Sequence, residues 1–309
     1  MTSLRFSLPS SRAELILSFA WPLVYCACAA GGGQAEATVT QTTQPGSGAT
    51  ATPSTPVTGA APSSPGGPMF NADDLEPTDA CDGNLPVVYR DFSQAHPDFE
   101  MNFRGDVVRR QLIEPTLGLD GKPVFKSSVG CPAKQNTPTE CETWSVMQPV
   151  ITSADSYSQW YRDTPGINIA FEKVLELADS GGGLYKYSSA EFFPIGNDQG
   201  FGITPPGQAH NFLFTTEVHV TFEYVAKQKF TFRGDDDMWI FVNGRLAVDL
   251  GSMHDSKEGI IDFDAQAADL GIVVGRAYPM DIFHAERHTS ASNFSIETNI
   301  ACFTPAIVR

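Results

Sequence analysis

Long apolar runs are few in this chain of 309 residues. Leu15–Leu23 is the first, and it falls short of the ~20 residues that a membrane-spanning helix needs. No later stretch is long enough either, so the body is expected to carry no transmembrane helix. Positive charge is also sparse: 20 Lys and Arg against 36 Asp and Glu leave a formal net charge of −16. That balance excludes nucleic acid and anionic membrane surfaces as natural partners and suits cation binding. Only six His occur and Cys-x-x-Cys is absent, which argues against a zinc framework. Gly-x-Ser-x-Gly and His-Glu-x-x-His are missing, and paired cysteines leave no thiol nucleophile, so the reading is non-catalytic. Helical periodicity is weak throughout, and Ser153–Tyr161 is the single fair helix candidate.

The N-terminal region stands apart from the rest. Met1–Arg12 carries Arg5 and Arg12 and no acid, and the short apolar segment follows. Together they read as a secretory signal over residues 1–28. Cys28, after Ala27, resembles a bacterial lipoprotein cleavage site, although Tyr25 stands where an aliphatic residue is usual. Lipid anchoring through Cys28 and plain cleavage near Ala29 or Ala30 are the two alternatives. Residues 29–80 read as a linker: from Gly31 to Pro68 the sequence is almost entirely Gly, Ala, Thr, Ser, Pro and Gln, with Glu36 its only formal charge. Such a segment buries too little apolar surface to offset its ordering entropy and is expected to be a disordered tether. Beyond the leader, Cys81, Cys131, Cys141 and Cys302 allow three disulfide pairings. The preferred one closes the local loop Cys131–Cys141 and joins the two ends of the folded part through Cys81–Cys302.

From residue 81 to residue 303 strand signals dominate. Leu85–Phe92 reads as a first strand. Phe212, Phe214, Val218, Val220, Phe222 and Tyr224 recur at even positions against Glu217, His219, Thr221 and Glu223, the period of a half-buried antiparallel strand. Phe230 and Phe232 continue the pattern. Met238–Val242 is apolar on both faces and is expected in the interior of a sheet; Asn243-Gly244 is a hairpin turn into Leu246–Leu250. Tyr278–Ala285 and Asn293–Ile300 add two more strands. Many short strands with Gly- and Asn-rich turns predict an all-β sandwich or barrel.

Between two of those strands lies Asp235-Asp236-Asp237. Three like charges at the rim of a packed core are costly unless a cation or hydrogen-bond donors offset them. Ca²⁺, with six to eight oxygen ligands, is the natural occupant; a solvated acidic turn is the plain alternative. Asp262-Phe-Asp264 with Asp269 lacks the Gly and Glu of an EF-hand and is rejected as a calcium loop. Trp239, in a strand apolar on both faces, is read as core in preference to a sugar-stacking platform.

Val87-Val-Tyr-Arg-Asp-Phe92, Trp160-Tyr-Arg-Asp-Thr-Pro-Gly166, Phe192-Phe-Pro-Ile195, Phe232-Arg-Gly-Asp-Asp-Asp-Met-Trp-Ile-Phe-Val-Asn-Gly244, Val248-Asp-Leu-Gly251 and Tyr278–His288 with Ser292-Asn-Phe294 occur in that order. These segments resemble the fibro-slime domain, a branch of the PA14-like β-sandwich group, over Leu85 to Ile300. The resemblance implies an antiparallel β-sandwich and a Ca²⁺ held by two adjacent Asp joined by a cis peptide. Carried onto this chain, the pair is Asp235 and Asp236, and Glu286 falls where fungal sugar-binding members supply an Asn. Asp237 departs from a common Gly and either adds a ligand or faces solvent. The Gly251–Asp255 and Arg287–Asn293 loops are then expected to shape specificity through His254, Asp255, Arg287, His288 and Asn293. For His254 and His288 a role as loop fasteners, bonded to backbone or carboxylate, is the favoured alternative. The expected partner is an extracellular glycan or matrix polysaccharide, bound at the outer surface of a bacterium, with membrane contact only through a lipid anchor. Two rival functions stand beside it: a structural interaction module in which Ca²⁺ only rigidifies loops, and a glycoside hydrolase using Asp237 and Glu286.

Overall fold

The computed structural model describes residues 83–101, 107–134, 140–143 and 148–306. These fall in the second of two units, Pro62–Arg309. The leader, Cys28, the linker and Cys81 lie outside the described residues. In chain order the elements are β1 (Asn84–Phe92), β2 (Arg109–Arg110), β3 (Cys131–Pro132), α1 (Ala154–Tyr157), β4 (Asn168–Glu176), β5 (Ala178–Gly181) and β6 (Leu184–Ser189). They continue with β7 (Phe214–Glu223), β8 (Lys229–Gly234), β9 (Asp237–Val242), β10 (Arg245–Leu250), β11 (Lys257–Asp262), α2 (Phe263–Leu270), β12 (Ala277–Glu286), β13 (Phe294–Thr298) and β14 (Thr304–Pro305).

Two antiparallel sheets carry the fold. A seven-stranded sheet runs β10-β9-β12-β7-β1-β4, with β14 also paired to β7, and a five-stranded sheet runs β11-β8-β13-β6-β5. Even-numbered residues of β7, β9 and β12 (Val218, Ile240, Ile282) point between the sheets and meet Phe230, Phe232, Phe294 and Ile296 from the facing one. This is the predicted all-β sandwich.

The opposite face of the seven-stranded sheet is covered as well. Trp239, Phe241, Phe283 and Ala285 pack there against Leu112, Ile113, Val150, Tyr157, Trp160 and Tyr161 from a third layer of loops and short elements. The expectation of a half-buried strand over residues 212–224 is therefore corrected: β7 is buried on both faces along most of its length. Its odd-numbered polar residues lie under the third layer. Met238–Val242 is fully buried, as its two-sided apolarity required, and Trp239 is core.

Two helices are present among the described residues where one was expected. α1 is shorter than the predicted Ser153–Tyr161 and is capped by Ser153, whose hydroxyl accepts from the Ser156 N–H. α2 had no forecast; the Asp262 side chain caps it by accepting from the Ala265 N–H, and Gly271 closes it at φ 67°. Cys131 and Cys141 form a disulfide. Cys302 is also disulfide-bonded, and its expected partner Cys81 lies outside the described residues. No helix among the described residues is long and apolar enough to cross a membrane.

Candidate functional site

The acidic turn carries the chain from β8 in the five-stranded sheet to β9 in the seven-stranded sheet, at one pole of the sandwich. Gly234 opens it because a Cβ there would sit 2.5 Å from the Phe232 ring and 2.7 Å from the Asn293 carbonyl. The turn itself is made by Asp236 in the left-handed region at φ 54°. The cis bond expected between Asp235 and Asp236 is not found: the cis peptides among the described residues are Thr204–Pro205 and Thr289–Ser290.

Strand parity separates the three acids. Asp237 is odd and pairs across the ladder with Ala285, so it faces the third layer with Trp239 and Arg287. Its Oδ2 accepts from Arg287 Nε at 2.6 Å and its Oδ1 accepts from the Ser252 N–H at 2.6 Å. Arg287 is fully buried. It also donates to the carbonyls of Asp98 (2.9 Å) and Val150 (2.8 Å), and it stacks over Trp160 at 4.7 Å. Asp237 is thus neutralised inside the protein. Its charge is met by the buried Arg287 on the third-layer side, away from Glu286, which corrects its place among the metal ligands.

Asp236 is enclosed by backbone donors. Its Oδ2 accepts from the N–H groups of Arg287 (2.7 Å) and His288 (3.1 Å), and its Oδ1 from that of His254 (3.3 Å). Burial, opposed by Arg287 and reinforced by Asp237, raises its pKa. Asp235 lies nearer the rim; its Oδ2 accepts from Asn293 Nδ2 (2.6 Å) and the Asn293 N–H (2.9 Å), and burial raises its pKa too.

Glu286 differs from all of these. It is even-numbered and fully buried, and its polar neighbours are the Ser292 side chain and Asp236. Burial first, and the neighbouring Asp236 second, push its pKa well above the carboxylate range. Nearby His284 offers no compensating charge: it is fully buried, and desolvation lowers its pKa to about 3.

Arg287 acts on Asp237 and Asp236, while Glu286 lies against Asp236 beyond its reach. Among the described residues no three His, Cys, Asp or Glu side chains stand in a metal-holding arrangement. The chemistry nonetheless fits a hard cation. Two buried carboxyls set against each other are costly, and an oxygen already accepting one N–H keeps a further lone pair for a metal.

The predicted ligand contacts divide. Asp255 is exposed, and His288 and Asn293 are part-exposed at the rim, where His288 Nε2 stands 3.9 Å from Glu100. His254 and Arg287 are corrected. His254 is buried, with its ring nitrogens on the carbonyls of Asp255 (3.0 Å) and Leu250 (3.4 Å), so it fastens its own loop. Arg287 is an internal counter-ion. Glu100 was not anticipated: its N–H donates to the Arg287 carbonyl at 2.9 Å and its Oε1 accepts from the Thr289 N–H at 3.2 Å. No sequence signal marked it, because it reaches the site from the third layer. Asp98, Val150 and Trp160 were missed for the same reason.

The two sheets and the acidic pole define a PA14-type β-sandwich, and the PA14 domain model matches residues 202–303. Over 221 residues, 70% of this chain, the sequence is 34% identical to Protein psiD of Dictyostelium discoideum. It is 32% identical over 233 residues to Protein psiR of the same organism. The chain belongs to the PA14-containing fibro-slime family. It spans 41% of psiD and 21% of psiR, less than half of either relative. Among solved structures, an anti-sigma factor domain-containing protein aligns at 12% identity and a TM-score of 0.23, over 72% of this chain and 79% of its own.

Proposed function

We propose that this chain is an exported, surface-anchored, Ca²⁺-dependent carbohydrate-binding or adhesion protein without catalytic activity. The observation that carries the reading is the fully buried Glu286 carboxyl set against Asp236, with no cationic side chain among the groups that act on it. Asp236 and Glu286 would hold the cation, with Asp235 on the rim side and backbone carbonyls completing the shell. When bound, Ca²⁺ supplies positive charge and exchangeable positions for hydroxyl oxygens. Asn293 orients Asp235, the N–H groups of Arg287 and His288 fix Asp236, and His288 and Asp255 border the mouth.

The path of the chain supports outward presentation. β1 runs antiparallel to β7, with Asp91 opposite Phe214 and Val87 opposite Val218. The chain therefore enters the sandwich at Asn84, at the pole away from the acidic turn. A tether attached at Asn84 would join the pole opposite the acidic turn. The paired-carboxylate hydrolase reading is disfavoured because both oxygens of Asp237 are committed to Arg287 and Ser252.

One observation favours the second reading, a matrix-interaction module with Ca²⁺ as a loop fastener. The triplet already gathers the 252–254, 286–288 and 293 segments through backbone N–H groups. The two are distinguished by calorimetric Ca²⁺ titration together with glycan-array binding in Ca²⁺ and in EDTA. Glycan binding abolished by EDTA supports the first; Ca²⁺ binding with no glycan bound supports the second. Asp236→Asn with unchanged Ca²⁺ affinity refutes the site.

A further inference from the structure

A second group of reactive side chains lies on the outer face of the seven-stranded sheet, apart from the acidic turn. Its centre is the Glu217 carboxyl on β7, whose side chain is 1% exposed. Glu217 Oε2 accepts from Arg90 Nη1 of β1. Oε1 accepts from two donors: Lys122 Nζ, on the third-layer loop, and His219 Nε2 at 2.5 Å. The other ring nitrogen of His219, Nδ1, stands 2.6 Å from Asp281 Oδ1 on β12. Little water reaches the group. The Lys122 side chain is 15% exposed, and those of His219, Asp281 and Arg90 are no more than 10% exposed. Phe283 packs edge-on against the imidazole with ring centroids 5.6 Å apart, and the fully buried Tyr161 packs against Phe283 at 4.9 Å.

A Lys beside a Glu ordinarily makes an ion pair and nothing more. Here the pair is surrounded by the parts of an acyl-transfer site. The Lys122 amine is a nucleophile in contact with the carboxyl it would attack. Arg90 sits on Oε2, where negative charge gathers when Cδ is attacked. His219 donates to Oε1, the oxygen that has to leave, and can move protons between it and the amine. Asp281 is a positioning residue, because it holds the imidazole with Nε2 turned toward Glu217. We propose that Lys122 and Glu217 condense to a side-chain amide, a self-formed cross-link that fixes the third-layer loop to β7. The two residues are 95 positions apart, and β7 lies inside its sheet between β12 and β1.

The step balances within the group. The imidazolium gives its Nε2 proton to Oε1, and the Lys122 ammonium passes one proton to the freed Nε2. The amine then attacks Glu217 Cδ; the C–N bond forms and the carbonyl electron pair moves onto Oε2 beside Arg90. A second proton from Nε2 reaches Oε1, the Cδ–Oε1 bond breaks, and Oε1 departs as water. The new amide nitrogen returns its extra proton to Nε2. One ammonium and one carboxylate thus become one amide and one water, with His219 regenerated and no co-reactant consumed. Burial lowers the His219 pKa, but the hydrogen bonds to Asp281 and Glu217 outweigh it and raise the value, so the imidazolium is present near neutral pH. Burial likewise raises Glu217, yet His219, Arg90 and Lys122 draw it down to about 2. The neutral carboxyl is therefore a minor form and the bond forms slowly. Fixed contact between the reacting groups opposes that cost, with effective molarities on the order of 10⁵–10⁸ M for well-oriented pairs.

The test is the intact mass of the full chain, folded, incubated at neutral pH, then reduced and denatured for measurement. Lys122→Met serves as the reference, so that any processing of the N-terminus cancels. Wild type is expected to fall short of the mass calculated from that reference by one water. Proteolytic mapping should give a branched peptide joining Lys122 to Glu217, and a lysine-specific protease should no longer cut after residue 122. Glu217→Ala should keep its full mass. His219→Gln should form the bond about 10²–10⁴-fold more slowly, the contribution of a positioned acid and base. Wild type that stays folded by near-ultraviolet circular dichroism and keeps its full mass after prolonged incubation overturns the cross-link. A Glu217→Ala chain that still loses water overturns the assignment to Glu217, and equal rates in wild type and His219→Gln overturn the role of His219.

Discussion

Replacing Glu286 by Gln removes the fully buried carboxyl set against Asp236 and leaves the side-chain volume almost unchanged. The substitution separates the two forces acting at the acidic pole. Without metal, wild type carries an uncompensated acid against Asp236, and Gln relieves it, so the Ca²⁺-free variant should melt at or above the wild type. With metal the order reverses. At a free Ca²⁺ concentration one hundred times Kd, a ligand that binds only the folded state stabilises by about 2.7 kcal/mol. A folded body of 150–250 residues shifts about 2–4 °C in Tm per kcal/mol, so wild type should rise by about 5–11 °C. Glu286→Gln, lacking one of the two facing carboxyls, should show little or none of that rise. The measurement is calorimetric melting at pH 8 in excess Ca²⁺ and in EDTA, for both proteins. A variant that keeps the full Ca²⁺-linked shift refutes Glu286 as a ligand. A Ca²⁺-free variant several degrees below wild type refutes the claim that its carboxylate is a cost in the metal-free fold.

Three further outcomes follow from the same geometry. The raised pKa values of Glu286 and Asp236 mean that the folded state holds protons the unfolded state has released, so Ca²⁺-free stability should fall as pH rises above ~4.3, by up to about 1.4 kcal/mol per pH unit and proton; melting of wild type and Glu286→Gln between pH 5 and 8 checks this, with a flatter profile in the variant. Arg287→Met strands Asp237 as a buried, unpaired charge and should cost about 3–5 kcal/mol; adding Asp237→Asn should recover part of the loss in urea unfolding, and strictly additive losses would contradict the pairing. Gly200→Ala places a Cβ 1.9 Å from Asp91 Oδ2 at a backbone φ of 55°. The carboxylate that accepts from the Phe201 N–H (2.5 Å) and Asn211 Nδ2 (2.6 Å) must then move, which should cost at least about 2 kcal/mol of unfolding free energy.

Legibility differed from element to element. The central strands were readable because each packs by period two. Met238–Val242 announced burial on both faces, and Asn243-Gly244 announced the turn that ends it. The same reading went wrong for β7. Glu217 and His219 look solvent-facing in sequence, and the partners that make them affordable inside, Arg90, Lys122 and Asp281, lie between 62 and 127 positions from one or other of them. α2 was missed because its face is short and weakly amphipathic, though Asp262 and Gly271 mark its ends. At the acidic pole, parity alone would have set Asp237 beside Arg287 and turned Glu286 the other way. What parity could not supply was the third layer. Asp98, Glu100, Val150 and Trp160 approach the pole from loops with no periodic signal.

By itself, then, the sequence determined the all-β architecture, the Asn243-Gly244 hairpin and the place of the three acids between two buried strands. These depend on side-chain alternation and turn chemistry, which act over a few residues. The tertiary structure decided how the acids divide: Asp237 neutralised by a buried guanidinium, Asp236 enclosed by N–H groups, Asp235 at the rim, and Glu286 buried against Asp236. That division depends on which face of which strand lies under which layer, and a carboxylate's environment is set by neighbours in space rather than in sequence.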